Sequence, residues 1–294
     1  MSNLKTQKTG LKDEFGLEGN VKKRTTAIYV LQLLLTFVIN MMAAIMILGF
    51  FVPNKFLSIA AAILVIALGV FSNTPVLQGL YKKLSNIEEA PPEVESRVRH
   101  ILEPIIERAG IPMPTISIMN IDCLNACAFG KSDVAVTIPI LSIPDDALAG
   151  VLAHEVGHLR NMDSVKSIRI CTMNFPLMLL QKICGIFIWV FTGIGKLINL
   201  FNFAALPFVF ISLLFGILQV IPEKIGLFLS RQQEFEADAA TVEFGQGENF
   251  IVGMTMIDES KKPGIIARLR YFWSSTHPPT YDRIKRVKKL ISES

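Results

Sequence analysis

Residues 27–52 form one apolar run, AIYVLQLLLTFVINMMAAIMILGFFV, without a charged side chain. A helix needs about 20 such residues to cross the hydrocarbon core of a bilayer. Because no water is available there, the backbone must satisfy its own hydrogen bonds, which favours a helix. The composition agrees, since 18% of the residues are charged where soluble domains have about 25%. The run therefore predicts a transmembrane span rather than the shorter core of a signal peptide.

A second apolar run, 56–77, follows the turn Pro53-Asn54-Lys55 almost at once. Two runs joined by so short a turn predict a helical hairpin whose ends lie on one side of the membrane. The sequence thus predicts a first transmembrane hairpin over residues 27–77.

A third apolar region, 170–222, is interrupted only by Lys182 and Lys196. It is long enough for two more spans, about 172–195 and 198–221. Lys182 would lie inside the third span, where a lysine is costly unless it snorkels or faces a wet cavity, and we expect snorkelling.

Lysine and arginine residues concentrate before the first run and between the two hairpins, whereas the two turns contain only Lys55 and Lys196. By the positive-inside rule, both termini and the middle segment are predicted to be cytoplasmic. This bias accounts for the net charge of +4. No basic patch with interleaved aromatic residues indicates nucleic acid as a partner.

The segment between the hairpins predicts a small α+β unit. Apolar residues recur at helical spacing from Val94 to Ala109, and three short β-type runs follow at 115–119, 125–129 and 133–138. A further helix is predicted to begin near Asp145. The cysteines lack C-x-x-C spacing and are predicted to be small hydrophobic residues rather than ligands: Cys123, Cys127, Cys171 and Cys184.

That last helix contains the pattern H-E-x-x-H at His154, Glu155 and His158. Residues four apart on a helix point the same way, so both imidazoles can bind one zinc ion while the glutamate acts as a general base. A catalytic zinc keeps three protein ligands and one open position. The metzincin continuation is excluded because Asn161 and Ser164 replace its glycine and histidine.

The third ligand has to come from another segment, and SRQQEFEADAA offers Glu234, Glu236 and Asp238 on a predicted helix. Glu234 and Asp238 share one face of that helix. One helix would then supply both Glu234 as a zinc ligand and Asp238 as the acceptor of a ring N–H from a ligating histidine. Taken alone, the segment fits a solvated acidic helix face equally well. An even number of spans between the two segments would allow them to meet.

Several ordered motifs resemble the HtpX-like membrane zinc endopeptidases, which are relatives of the CAAX prenyl proteases. The resemblance covers most of the chain after Pro91 and rests on AGIPMPTISIMN, LNACAFG, VAVTIPIL, LAGVLAHEVGHLRNMDS, SRQQEFEADAA and STHPPTYDRIKRV. It implies one Zn²⁺ per chain held by His154, His158 and Glu234, with Glu155 as the general base and Asp238 hydrogen-bonded to a ligand.

Asn125 matches the asparagine of the family's N-A-F-A segment, an edge strand that would hold the substrate backbone by strand addition. Cys127 departs from the phenylalanine usual there. His277 and Arg283 match an H-P-P-x-x-x-R element, which implies that His277 stabilises the oxyanion and that Arg283 contacts the substrate. The alternative is a plain helix start in which Arg283 pairs with Asp282.

The sequence thus predicts a mainly α membrane protein with about four transmembrane helices in two hairpins and a cytoplasmic α+β zincin-type catalytic domain with a small β-sheet. The predicted segments are a cytoplasmic tail (1–26), the first hairpin (27–77), the first part of the catalytic domain (78–171), the second hairpin (172–222) and the second part of that domain (223–294).

The function expected from these features is zinc-dependent cleavage of membrane proteins or other polypeptides at a prokaryotic plasma (inner) membrane, in quality control, with other quality-control proteases as expected partners. A CAAX-type protease is an alternative, although those relatives have more spans and need prenylated substrates. A site-2 protease is disfavoured because its motif lies within a span. A zinc-binding scaffold without turnover is disfavoured because it would not need Glu155.

Overall fold

The computed structural model describes residues 16–49, 53–195, 201–258 and 275–294. Its helices are α1 (Gly16–Leu48), α2 (Asn54–Phe71), α3 (Pro75–Leu84), α4 (Pro92–Ala109), α5 (Asp145–Asn161), α6 (Asp163–Met173), α7 (Phe175–Gly195), α8 (Leu206–Glu243), α9 (Gly247–Ile257) and α10 (Thr280–Glu293). The strands are β1 (Ile87–Glu89), β2 (Thr115–Met119), β3 (Ala126–Phe129) and β4 (Asp133–Thr137). Single helical turns occur at Pro139–Ser142 and Phe201–Ala204.

Residues 27–48 of the first apolar run lie within α1, whose candidate span is Arg24–Leu48. The helix begins at Gly16, so the second half of the predicted tail 1–26 is helical. Residues 1–15 of that tail lie outside the described residues. The candidate span begins at Arg24, three residues before the predicted start of the hairpin at 27.

The second apolar run, predicted as one span over 56–77, is broken. Helix α2 ends at Phe71 and α3 leaves it at an angle of 73°. The Ser72 hydroxyl donates to the Gly69 carbonyl at 2.6 Å, while Thr74 caps α3 and Pro75 occupies its first turn, where a missing N–H costs nothing. Over the described residues, three helices are long and apolar enough to cross a membrane, or four if this bent pair counts as one.

The third apolar region forms two long helical segments. The first continues from Asp163 through α6 and α7, and Lys182 lies exposed on α7. Residues 206–221 of the fourth predicted span, 198–221, form the first part of α8, which runs for 38 residues to Glu243. A helix of that length extends about 57 Å. One helix therefore continues across the predicted boundary at 222 and joins the apolar region to the acidic segment. Lys196 lies outside the described residues.

Helix α1 holds the apolar helices together through two clusters. Ile39 and Ala43 pack with residues of α7 and α8, and Ala44 packs with Ala61 and Val65 of α2. The fully buried Asn40 donates its amide to the Asn174 side chain at 2.8 Å and accepts the Leu177 N–H at 3.1 Å. This asparagine thereby satisfies a backbone donor where α6 gives way to α7.

The predicted small sheet is confirmed, with a fourth strand added at one edge. The order is β1-β2-β4-β3, in which β2 and β4 are parallel and the two outer pairs are antiparallel. Strand β4 is buried along its whole length, and β3 is left as an open edge. Helices α4 and α5 cover the sheet with a core that includes Val98, Leu102, Leu148 and Leu152.

Two glycines of α5 allow other backbones to approach it closely. A Cβ atom on Gly150 would overlap the backbone of Asn249 and Phe250 in α9. One on Gly157 would lie 3.0 Å from the Cα of Ala237 in α8. The two positions are seven residues apart and so lie on the same face of α5. Because of these glycines, α8 and α9 pack directly against the helix that contains the H-E-x-x-H pattern.

We expect Gly150→Ala to destabilise the protein by about 1–3 kcal/mol, because the added methyl group meets backbone that cannot rotate away. Gly79→Ala is the matched control. It adds the same methyl group to the interior of α3 with nothing within 4 Å, so it should be neutral or stabilise by up to about 1 kcal/mol. Thermal unfolding of the purified proteins in detergent measures both, and equal unfolding midpoints for the two variants would contradict this account of the packing.

Candidate active site

The H-E-x-x-H residues lie on the buried face of α5. His154 and Glu155 are buried, and the Nε2 atoms of His154 and His158 approach each other to 3.2 Å. The His154 ring also stacks on Phe250, with 5.5 Å between centroids. The two imidazoles therefore point at one common position, as the helical spacing predicts.

Helix α8 brings Glu234 to the same position. Its carboxylate oxygens lie 3.5 Å from His154 Nε2 and 3.5 Å from His158 Nε2. One atom from each of these three side chains falls within 4.8 Å of the others. Glu236 points elsewhere and accepts a hydrogen bond from the Thr25 hydroxyl of α1. Glu234 thus faces the histidines and Glu236 does not, as their angular positions on the helix predict.

These three side chains fit a metal ion. Zinc bonds to nitrogen and oxygen of about 2.0–2.1 Å, arranged tetrahedrally, put the ligand atoms about 3.3–3.4 Å apart. The observed separations are 3.2, 3.5 and 3.5 Å. Oε2 of Glu234 is buried and accepts no hydrogen bond within the described part of the chain. The nearest cationic atom to this oxygen is Nη1 of Arg283, at 3.2 Å, and the oxygen still has lone-pair capacity for a metal ion.

Each histidine has a carboxylate on its far side. Nδ1 of His154 lies 3.0 Å from Asp238, and Nδ1 of His158 lies 3.0 Å from Asp163. A ring that donates its Nδ1 proton to a carboxylate presents the lone pair of Nε2, which is the form that binds a metal. Asp238 stands where the sequence predicts it. Asp163 is a residue that the sequence analysis missed.

Asp163 reaches His158 because the chain turns sharply between α5 and α6. Met162 has a φ of 58°, which ends α5 and starts α6 one residue later. Asp163 also accepts hydrogen bonds from Gln233 and Lys166, both at 2.9 Å. Since Gln233 precedes Glu234 on α8, one aspartate links both metal-binding helices. The available signal was a carboxylate five residues after the second histidine.

Glu155 faces the open edge of the sheet rather than the two imidazoles. Its Oε2 accepts the backbone N–H of Ala128, in β3, at 2.6 Å. Burial and the neighbouring Glu155 raise the pKa of the Cys127 thiol to about 12, and Cys127 is not among the side chains that converge on the metal position. Asn125 lies exposed at the start of this edge. Its backbone N–H donates to the Thr137 hydroxyl at 3.1 Å.

The H-P-P-x-x-x-R element reaches the site from α10. Arg283 is only 5% exposed and donates to Asp238 from Nε at 2.9 Å and from Nη2 at 2.6 Å. Its Nη1 lies 3.2 Å from Glu234. The predicted alternative pair with Asp282 is therefore not what buries this arginine. The His277 ring is 66% exposed, with Nδ1 2.8 Å from Oε1 of Glu234.

The charges of the site favour a cation. Its buried or half-buried charged groups are the carboxylates of Glu155, Asp163, Glu234 and Asp238, the Arg283 guanidinium and the Lys166 ammonium. Two negative charges are left over, which suits a divalent ion. Burial disfavours a charged His158 ring, but the hydrogen bonds to Asp163 and Glu234 outweigh burial and raise its pKa to about 10. The site therefore attracts positive charge, whether protons or a metal.

A cavity of about 470 Å³ opens in front of these groups. One wall is formed by β3 from Asn125 to Ala128. Its apolar lining consists of Val151, Phe250, Met254 and Ile257. A cavity lined by a strand edge and by apolar side chains suits an extended peptide.

The fold and this site define a membrane metalloprotease. The model of the family described as Peptidase family M48 matches residues 92–291, which contain every residue of the site. The chain belongs to Peptidase family M48.

Relatives within this family support the resemblance seen in the motifs. A "Protease HtpX homolog" from Streptococcus equi subsp. zooepidemicus is 30% identical over 251 residues, which covers 75% of this chain and 81% of the relative. A homolog of the same name from Streptococcus pyogenes serotype M28 is 28% identical over 92% of this chain and 97% of its own length. The predicted HtpX-like family is confirmed.

A solved structure shares the fold. The crystal structure of S. mikatae Ste24p superposes with a TM-score of 0.50 over 94% of this chain and 69% of its own. The sequence identity is 16%, so the similarity concerns the fold alone. It is consistent with a mostly helical, multi-pass membrane protein.

We expect Asp163→Asn to lower metal affinity by about 10- to 100-fold, because the amide no longer fixes the protonation and orientation of the His158 ring. Activity should partly return when excess metal is supplied. Asp122→Asn, at an exposed position outside the site, is the control and should change neither quantity. Metal titration of the two purified variants measures the affinity. An unchanged affinity in Asp163→Asn would show that the contact between Asp163 and His158 is incidental.

Proposed function

We propose that this protein is a zinc-dependent endopeptidase that hydrolyses peptide bonds of membrane proteins on the cytoplasmic side of a prokaryotic plasma membrane. The observation that carries the proposal is the convergence of His154, His158 and Glu234 at separations of 3.2–3.5 Å. The family supplies the protease class. Zinc is favoured over other metals because two imidazoles and one carboxylate are a common catalytic ligand set for it.

His154, His158 and Glu234 would hold the zinc ion, and a bound zinc ion polarises the scissile carbonyl and makes water more acidic. Glu155 would take the proton of the attacking water and pass it to the leaving amine. Its carboxylate lies beside β3, so the peptide bond of a strand-added substrate would pass within its reach. Glu155 contacts the backbone N–H of Ala128. The scissile peptide bond of an added strand would therefore lie alongside Ala128.

The remaining predicted residues take different roles in this proposal. Asn125 is exposed at the edge where a substrate strand would add. The His277 ring is 66% exposed and would donate to the developing oxyanion. Arg283 is buried against Asp238 and Glu234, so we assign it to positioning these carboxylates rather than to substrate binding.

The membrane setting is supported by three or four apolar helices. Catalysis on the cytoplasmic side rests on the excess of lysine and arginine beside the middle segment. Cleavage of misfolded or damaged membrane proteins, together with other quality-control proteases, is the role that suits an open peptide groove placed next to the bilayer. Prenylated substrates, as for a CAAX-type protease, have no specific support in the groove. A scaffold without turnover would not need Glu155.

Three variants separate the base from the ligand. Glu155→Gln should keep its zinc and lose about 100- to 10,000-fold in peptidase rate, because the base is not a ligand. Glu234→Gln should lose both zinc and activity, since a neutral amide is a poor ligand. Glu236→Gln is the control and should keep both, because its side chain contacts Thr25. Metal content and peptidase rate of the purified proteins give the answer. Zinc retained by Glu234→Gln but lost from Glu236→Gln would refute the ligand assignment.

Reporter fusions test the orientation. Reporters placed after residues 24, 130 and 294 should all be cytoplasmic, because the lysine and arginine bias is on that side. The structure adds that the segments containing His154 and Glu234 meet, so they must share one side of the membrane. Periplasmic or extracellular activity at positions 130 and 294 would reverse the proposed orientation.

A further inference from the structure

A second groove, of about 300 Å³, lies between α8 and the α6–α7 junction. Most of its polar lining comes from Asn174, Gln181, Gln219 and Glu223. Cys171, Leu177, Met178 and Gly216 complete it. All of these positions fall within the two apolar helical segments Asp163–Gly195 and Asn202–Glu243, which are long enough to cross the membrane. The groove therefore places polar groups on helices whose other surfaces suit lipid.

The groove follows directly from the active-site cavity along the same pair of helices. On α6, Ser167 lines the cavity and Cys171, one turn later, lines the groove. On α8, Ser230 lines the cavity, and Glu223, two turns earlier on the same face, lines the groove. Seven helical residues correspond to about 10 Å. A chain leaving the groove toward the cavity would reach Glu155 within a few residues.

The groove contains an unmet hydrogen-bonding group. Oε1 of Gln219 is buried and has no hydrogen-bond partner among the residues that the structure describes. Burying an amide oxygen without a partner is unfavourable, and it is more so where lipid replaces water. Side-chain amides combine a carbonyl acceptor with two N–H donors, which complement the N–H and C=O groups of a peptide. An N–H donor of a ligand would satisfy Gln219 once its side chain turns toward the groove.

We propose that this groove binds the unwound backbone of a substrate's transmembrane segment as it passes from the bilayer to the active site. A helix that unwinds in a membrane exposes backbone donors and acceptors that lipid cannot satisfy. Gln181 and Gln219 offer the matching groups. The Glu223 carboxylate disfavours anionic phospholipid headgroups, because like charges repel. This inference rests on the proposed endopeptidase function and names the part of the substrate that the protein recognises.

Cross-linking tests the path without requiring turnover. Cys171 is exposed and lines the groove. The protein carries Glu155→Gln to prevent cleavage, with Cys123→Ser and Cys127→Ser to remove the cysteines near the cavity. A membrane substrate receives single cysteines along its transmembrane segment. Disulfides to Cys171 should peak about three to five residues from the scissile bond, because an extended chain advances about 3.3 Å per residue.

The matched control moves the cysteine to an exposed position of α7 outside the groove, with Cys171→Ser and Thr192→Cys in the same background. This control should give low yields at every substrate position. Equal yields from the two proteins, or yields that do not depend on the substrate position, would overturn the proposal.

Kinetics supply an independent measurement. Gln219→Met keeps the side-chain length and removes the amide, so KM for the membrane substrate should rise about 3- to 10-fold, the value of one hydrogen bond. A short soluble peptide with the same cleavage sequence should be cut at the wild-type rate. An equal loss on both substrates would show a structural role for Gln219, and no change on either would remove the groove from the substrate path. Failure of wild-type protein to cut the soluble peptide would instead refute the endopeptidase function.

Discussion

The close contact between α5 and α8 at Gly157 and Ala237 is the constraint on which the site depends. Two helices normally pack with their axes 8–10 Å apart, and the distance depends on the side chains between them. Here a residue without a side chain, between the two histidines, meets an alanine one turn after Glu234. A larger residue at either position would separate the glutamate from the imidazoles. The metal site therefore depends on small residues that touch neither metal nor substrate.

Carboxylates behind the ligands complete this arrangement. Each imidazole is held between the metal position and an aspartate, Asp238 on α8 and Asp163 at the start of α6. Arg283 then balances part of the charge and ties α10 to α8. Because buried carboxylates without partners are strongly unfavourable, these contacts oblige four helices to close around one point. The same charges that prepare the site for a cation thus also specify the packing of the helices.

Local spacing predicted a good part of the site. The H-E-x-x-H pattern and the phase of Glu234 against Glu236 need only the helical period, and both histidines and Glu234 meet as expected. Asp163 was missed because its position depends on the left-handed backbone conformation of Met162. A methionine in the sequence does not predict that conformation. The burial of Arg283 depends on where α10 packs, which no local pattern encodes.

The sequence likewise predicted the apolar helices only in part. Mean hydropathy located them, since span length is a property of composition. It could not reveal the bend at 72–74, because one capping threonine and one proline change direction without changing the average. Mean hydropathy also could not show whether α8 ends at the membrane surface, because charged residues after Pro222 are compatible with a continuing helix.

The continuity of α8 has a mechanical consequence. One continuous helix extends from the apolar region to Glu234, which lies twelve residues beyond Pro222, or about 18 Å along the axis. If this part of α8 moves as one unit, a tilt of about 10° at the membrane displaces the carboxylate by about 3 Å, roughly one ligand-to-ligand separation. Helices adjust their tilt when the hydrocarbon thickness changes. A change in bilayer thickness would then alter the separation of the three side chains that can hold a metal ion, and lipid composition would become a physical variable of catalysis.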